Sequence, residues 1–131
     1  MNVIPSMAAG LVQLQALASF LDTGSSNATF SVYKGTKPAN VTVAANPSDK
    51  LVTMNLPEPC FKKLNADSIE LYPTDTGTIT QAGTAAWARL YNGNGDAVAD
   101  FSVGAEITLA NPTLALGSTL MINSIVLRPS T

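Results

Sequence analysis

Histidine is absent from this chain of 131 residues, cysteine occurs once, and charged side chains make up only 12%. Each shortage excludes something. Without histidine, the commonest general base and the commonest metal ligand are both missing. A single thiol, Cys60, cannot close an intrachain disulfide, so a redox framework is excluded. A reactive thiol there would need an activating neighbour. Only Lys62 and Lys63 stand close in sequence, so Cys60 reads as a buried structural residue. No apolar run reaches the roughly 18 to 20 residues of a membrane span. Apart from the Lys62-Lys63 pair the cations are scattered, and the formal net charge is −2, which argues against a nucleic-acid partner. Met1–Gly10 lacks a basic n-region, so no secretory signal is expected, and the chain reads as soluble and made in the cytoplasm. The sequons at Asn27 and Asn40 then carry no meaning.

What is present is β-forming sequence with hydroxyl and amide side chains in place of charges. The strongest local signal is Gly83–Val103, which reads as a hairpin. Residues 85–91 alternate Ala86, Ala88 and Leu90 with Trp87, Arg89 and Tyr91. Residues 97–103 alternate Ala97, Ala99, Phe101 and Val103 with Val98, Asp100 and Ser102. Between them, Asn92-Gly93-Asn94-Gly95-Asp96 supplies residues that accept the positive φ of hairpin turns.

One helix is expected, over 6–22. Ser6 is its N-cap, Met7, Leu11, Leu14, Ala18 and Leu21 recur at helical spacing, and Gly24 stands as C′. Val12, Leu17 and Phe20 widen its apolar stripe, which suits a helix packed on a sheet or one that also meets a neighbouring subunit. Strands are expected at 28–33, 51–56, 68–72, 106–110 and 120–127, the last apolar on both faces and so central or partnered. Residues 41–50 read as a weak strand with a turn, or as a loop, and 113–117 as a connector. Pro57 and Pro59 place 57–59 at an edge or in a loop. The expected fold is one domain over 1–131: an antiparallel β-sandwich, jelly-roll-like or a flattened barrel, of about seven to eight strands over 28–128, preceded by the helix.

Little in this pattern carries chemistry. Asp100 and Glu106 would make a carboxylate pair if the sheet folds back, but no motif singles them out. Residues 92–96 lack the spaced acids and terminal Glu of a calcium loop. Lys34–Ala39 fails the spacing of a phosphate loop. No catalytic residue, cofactor or metal is expected. Trp87 and Arg89 share one side of a strand, where a guanidinium can lie over the indole. With Tyr91 they form either a subunit contact or a sheet face covered by other chain.

Several segments resemble a family of small proteins encoded among the head and tail genes of tailed bacteriophages and prophages. The resemblance runs through Phe20-Leu21-Asp22-Thr23-Gly24, Val32–Ala39 and Met54–Phe61. Its most specific part is Gly83–Tyr91 followed by the Asn-Gly turn, Ala97–Asp100 and Ser102-Val103-Gly104. It closes on Ile107–Gly117. The family often has a larger aromatic where Ala88 stands and Gly where Phe101 stands, which implies repacking of the core. The resemblance implies a virion structural protein, in many copies or as a homo-oligomer, that contacts the major capsid protein or tail proteins. Capsid decoration is the first expectation, a tail or neck component the second, and a carbohydrate-binding sandwich with Trp87 and Tyr91 as platforms comes from a different class. The residues expected at contacts are Trp87, Arg89, Tyr91, Leu11, Leu14, Met121 and Ile125.

Overall fold

The computed structural model describes residues 1–131. It contains one helix, α1 (Met7–Leu21), and eleven strands. These are β1 (Thr29–Tyr33), β2 (Lys50–Asn55), β3 (Phe61–Leu64), β4 (Ile69–Leu71), β5 (Gly77–Thr78), β6 (Gly83–Thr84), β7 (Trp87–Tyr91), β8 (Ala97–Ser102), β9 (Thr113–Leu114), β10 (Thr119–Leu120) and β11 (Ile125–Leu127). All named strand pairs are antiparallel, so the expected mainly β architecture with one N-terminal helix is what the chain adopts. The sheets stay open. A four-stranded sheet in the order β2-β1-β7-β8 and a three-stranded sheet β11-β4-β3 contribute to one core, and β5-β10 and β6-β9 form two short pairs; no closed barrel forms.

The helix starts as its cap dictates. Ser6 adopts an extended backbone and its hydroxyl accepts from the Ala9 N–H, satisfying one donor of the first turn. Asp22 is the C-cap, so Gly24 lies one position beyond C′ and takes a φ of +109° there. Gly10, Ala18 and Leu21 are the buried helix residues; Gly10 lies against Pro129, and α1 also packs on β3 and β4.

Alternation sorts the four-stranded sheet cleanly. Phe30, Val32, Val52, Met54, Ala88 and Leu90 point into the core, which also takes Leu51, Leu56, Cys60, Ile69, Leu71 and Ile79. Ala88 pairs with Phe101, a small residue beside a large one, and the Phe101 ring stacks on Phe30 with centroids 5.9 Å apart.

Several expected elements differ. Gly83 and Thr84 belong to β6 and pair with Thr113-Leu114, so the hairpin proper is Trp87–Ser102, and the presumed connector at 113–117 contributes a strand. Residues 106–110 form no strand beyond a parallel bridge between Val103 and Ile107. Residues 120–127 do not run as one strand: β10 and β11 pair with different partners, and 121–124 between them are irregular. For 106–110 the reason lies in punctuation. Gly104, Pro112 and Gly117 divide the region, and Gly104 and Gly117 take φ of +99° and +85°. Residues 41–49 are loop and a short 3-10 turn over Pro47–Asp49, and Lys50 opens β2. Phe61 opens β3.

Candidate functional site

Two places in the molecule gather side chains that a partner or ligand would notice. They sit on opposite sides of the four-stranded sheet.

The outer face carries Ser31 and Tyr33 of β1, Thr53 of β2, Trp87, Arg89 and Tyr91 of β7 and Asp100 of β8. Strand register aligns them in rows, with Thr53–Ser31–Arg89–Asp100 one row and Tyr33–Trp87–Ser102 the next. Arg89 and Asp100 make a two-pronged ion pair: Nε donates to Oδ1 at 2.6 Å and Nη2 to Oδ2 at 3.0 Å. The remaining guanidinium donors turn outward to the loop above, Nη1 to the Val43 carbonyl at 2.8 Å and Nη2 to that of Asn40 at 3.5 Å. The Asp100 hydrogen bond raises the already high Arg89 pKa further. Trp87 lies between two partners, the Tyr33 ring stacked at 4.4 Å and the guanidinium 5.2 Å from the indole centroid. Its Nε1–H is the buried side-chain donor left without an acceptor. The Tyr33 and Tyr91 hydroxyls meet at 2.6 Å. Burial first, and that hydroxyl second, hold the Tyr33 phenol above its ordinary range.

This face is covered. Trp87 is 2% exposed and Arg89 1%, beneath the loop around Asn40–Asp49, and of the three residues expected at a contact only Tyr91 is partly open. Covering by other chain is therefore what this face shows, and Trp87 has no ring face free for a stacked sugar. Asp100, weighed with Glu106 as a carboxylate pair, is instead the partner of Arg89, while Glu106 accepts from the Ser102 N–H at 3.0 Å. A depression of about 280 Å³ remains beside the loop, lined by the hydroxyls of Thr29, Ser31, Thr53 and Tyr91 and by Lys50.

The hairpin turn is held from below. The Asn92 side-chain carbonyl accepts from the N–H groups of Asn94 and Asp96 at 3.0 and 2.9 Å, a turn made by an asparagine bonding its own backbone. Gly93 packs so tightly on the segment after α1 that a Cβ would lie 2.0 Å from the Ser26 carbonyl oxygen.

The second place is an apolar cavity of about 430 Å³ at the β8 end of the core. Phe30 and Phe101 lie on one side. The stretch from Glu106 to Ala110 and the stretch from Leu120 to Leu127 form the rest. Met121 and Ile125, both expected at contacts, meet here: Met121 is largely open and Ile125 is buried. Leu11 and Leu14 are half-buried against the core under α1.

No group of three His, Cys, Asp or Glu side chains is placed to hold a metal ion. Cys60 is fully buried, with its thiol donating to the Ala18 carbonyl at 3.5 Å, and burial pushes its pKa up to about 12, with Asp22 adding to the effect. Such a thiol is no nucleophile at neutral pH. No helix is long and apolar enough to cross a membrane. A covered Trp87 face was one of the two readings the sequence left open; the cavity was not signalled, because it depends on which distant segments meet. Compared with known protein families, curated proteins and solved structures, the chain matches none.

Proposed function

We propose that the chain is a structural component of a bacteriophage particle, a capsid decoration or head-associated protein that acts through protein–protein contacts and not by catalysis. A tail or neck position is the alternative. In this reading the protein is made in the host cytoplasm, resides in the virion in multiple copies, and contacts the major capsid protein or tail proteins without nucleic acid, membrane or cofactor.

One observation carries the reading. All fifteen residues of α1 are uncharged, and its outward face shows Val12, 64% exposed, and Phe20, 47% exposed, alongside Ala9, Ala16 and Ser19. A helix at a protein's surface ordinarily sets charged residues opposite its apolar stripe; one without them suits burial against a partner. Next to it, Leu64 of β3 is also open. The carbohydrate-binding alternative keeps only Tyr91 and the hydroxyl-lined depression, with the Trp87 platform covered.

The test is composition and location. Purified particles should contain the protein at a fixed copy number, visible by mass spectrometry and in a density map. Val12→Glu with Phe20→Glu should lower incorporation at least tenfold while leaving the fold intact by circular dichroism. Full incorporation of that variant, or absence of the protein from particles, would sink the reading.

A further inference from the structure

We infer that the N-terminal arm, Met1–Pro5, of one copy fills the apolar cavity of a second copy, and that the exchange is reciprocal. The inference deepens the assembly reading and rests on it for its purpose, though not for its test.

The cavity is an open trough between two irregular segments. At about 430 Å³ it has the size of a real binding cleft. Along one wall Thr108, Leu109 and Ala110 make no backbone hydrogen bond; along the other, Met121, Asn123 and Ser124 make none either. Unpaired backbone on both sides of an apolar trough is what an added extended segment satisfies. Main-chain bonds supply affinity, and side chains drop into the trough.

The arm has the complementary deficit. Met1, Val3 and Ile4 are each at least 74% exposed, and residues 1–5 make no backbone hydrogen bond. None of the five lines the chain's own cavity. The arm bears no acidic side chain, and the one charged side chain lining the cavity is the Glu106 carboxylate, so docking meets no like-charge repulsion.

The arm is also rooted near the cavity it would fill in a partner. Gly10 lets the chain just past β11 close on the start of α1: a Cβ there would lie 2.5 Å from Pro129 Cβ and 3.5 Å from Pro5 Cγ. Ile125 and Leu127 of β11 line the cavity two to four residues before Pro129. The arm's root is thus tied to the chain that leaves the cavity wall, and a reciprocal exchange would form an isologous, two-fold interface. The area suffices. Five extended residues present about 800 Å² of accessible surface. Two arms, with the cavity walls they cover, reach the roughly 1,200–2,000 Å² of a specific interface.

The experiment uses the full chain in solution. Sedimentation velocity should show a concentration-dependent dimer. Ile4→Asp in the arm and Leu109→Asp in the cavity should each weaken it at least tenfold, and the double variant little further. Ile4 lies outside the core, so its substitution cannot act by unfolding the domain. Mixing Val3→Cys chains with tagged Leu109→Cys chains under mild oxidation should give a disulfide-linked heterodimer of the two. A monomer whose Val3→Cys, Leu109→Cys double variant closes an intrachain disulfide would mean that the arm docks on its own chain, and would overturn the exchange. A dimer indifferent to both aspartates, or a monomer with no crosslink, overturns it as well. Absence from particles would leave a positive dimer result standing, so the two failures are separable.

Discussion

The β7–β8 hairpin and the segment that follows it, Gly104–Leu127, are neighbours in the chain with similarly apolar sequences, yet they end in opposite states. Each residue of β7 is paired on two sides, with β1 and with β8, and its outward side chains are locked by the Arg89–Asp100 pair and the Tyr33–Trp87 stack. The later segment is cut into strands of two or three residues and leaves the apolar cavity open at its centre. An apolar alternating run therefore becomes a ladder where a partner strand is supplied and nothing interrupts it. Where Gly104, Pro112 and Gly117 interrupt, the same kind of run is left with unpaired backbone and half-covered side chains.

The sharpest way to break the ordered half is Asp100→Ala. It leaves a buried guanidinium without its counter-charge, and denaturant unfolding should show a loss of about 3–5 kcal/mol. Replacing both partners together, Arg89→Met with Asp100→Leu, should recover most of that loss, since the cost lies in the orphaned charge and not in the absent pair.

Next, Leu90→Ala and Leu109→Ala put the two halves side by side. Leu90 is fully enclosed, and its truncation should cost about 2–5 kcal/mol through lost burial and the hole left behind. Leu109 already borders an opening, so at monomer concentrations its truncation should cost about 1 kcal/mol or less. Equal losses would mean that the cavity is closed in solution and the contrast between the halves is unreal.

The smallest effect sharpens the comparison from a third point, the seam under α1. Cys60 ordinarily titrates near 9.0 but near 12 in the folded chain. Its folded pKa is raised, so the neutral thiol's stabilisation is fully present below the unfolded value. It is then lost as pH climbs toward the folded one, because only the unfolded chain ionises. Between pH 8 and 10 the protein should lose about 1 kcal/mol that Cys60→Ala does not lose, measured by urea unfolding at each pH.

Much was legible in local sequence. Ser6 announces the helix start because its hydroxyl bonds a donor three residues away, and residues 92–96 announce their turn because Asn92 bonds its own backbone. The alternation of β1, β7 and β8 reports one buried face, since a pleated strand sends successive side chains to opposite sides. The site was legible only in part. Trp87 and Arg89 stood out by type and spacing, but whether they meet solvent depended on carbonyls of Asn40 and Val43, more than forty residues away.

The sequence by itself thus determined the helix, the central hairpin, the mainly β class and the absence of histidine chemistry, all of which follow from interactions within a few residues or from composition alone. The tertiary structure decided that the Trp87 face is closed and that 106–110 is no strand. It also decided that 106–110 and 120–127 border an apolar trough. Those outcomes turn on which distant backbones find partners, and no pattern within a single stretch of chain contains that information.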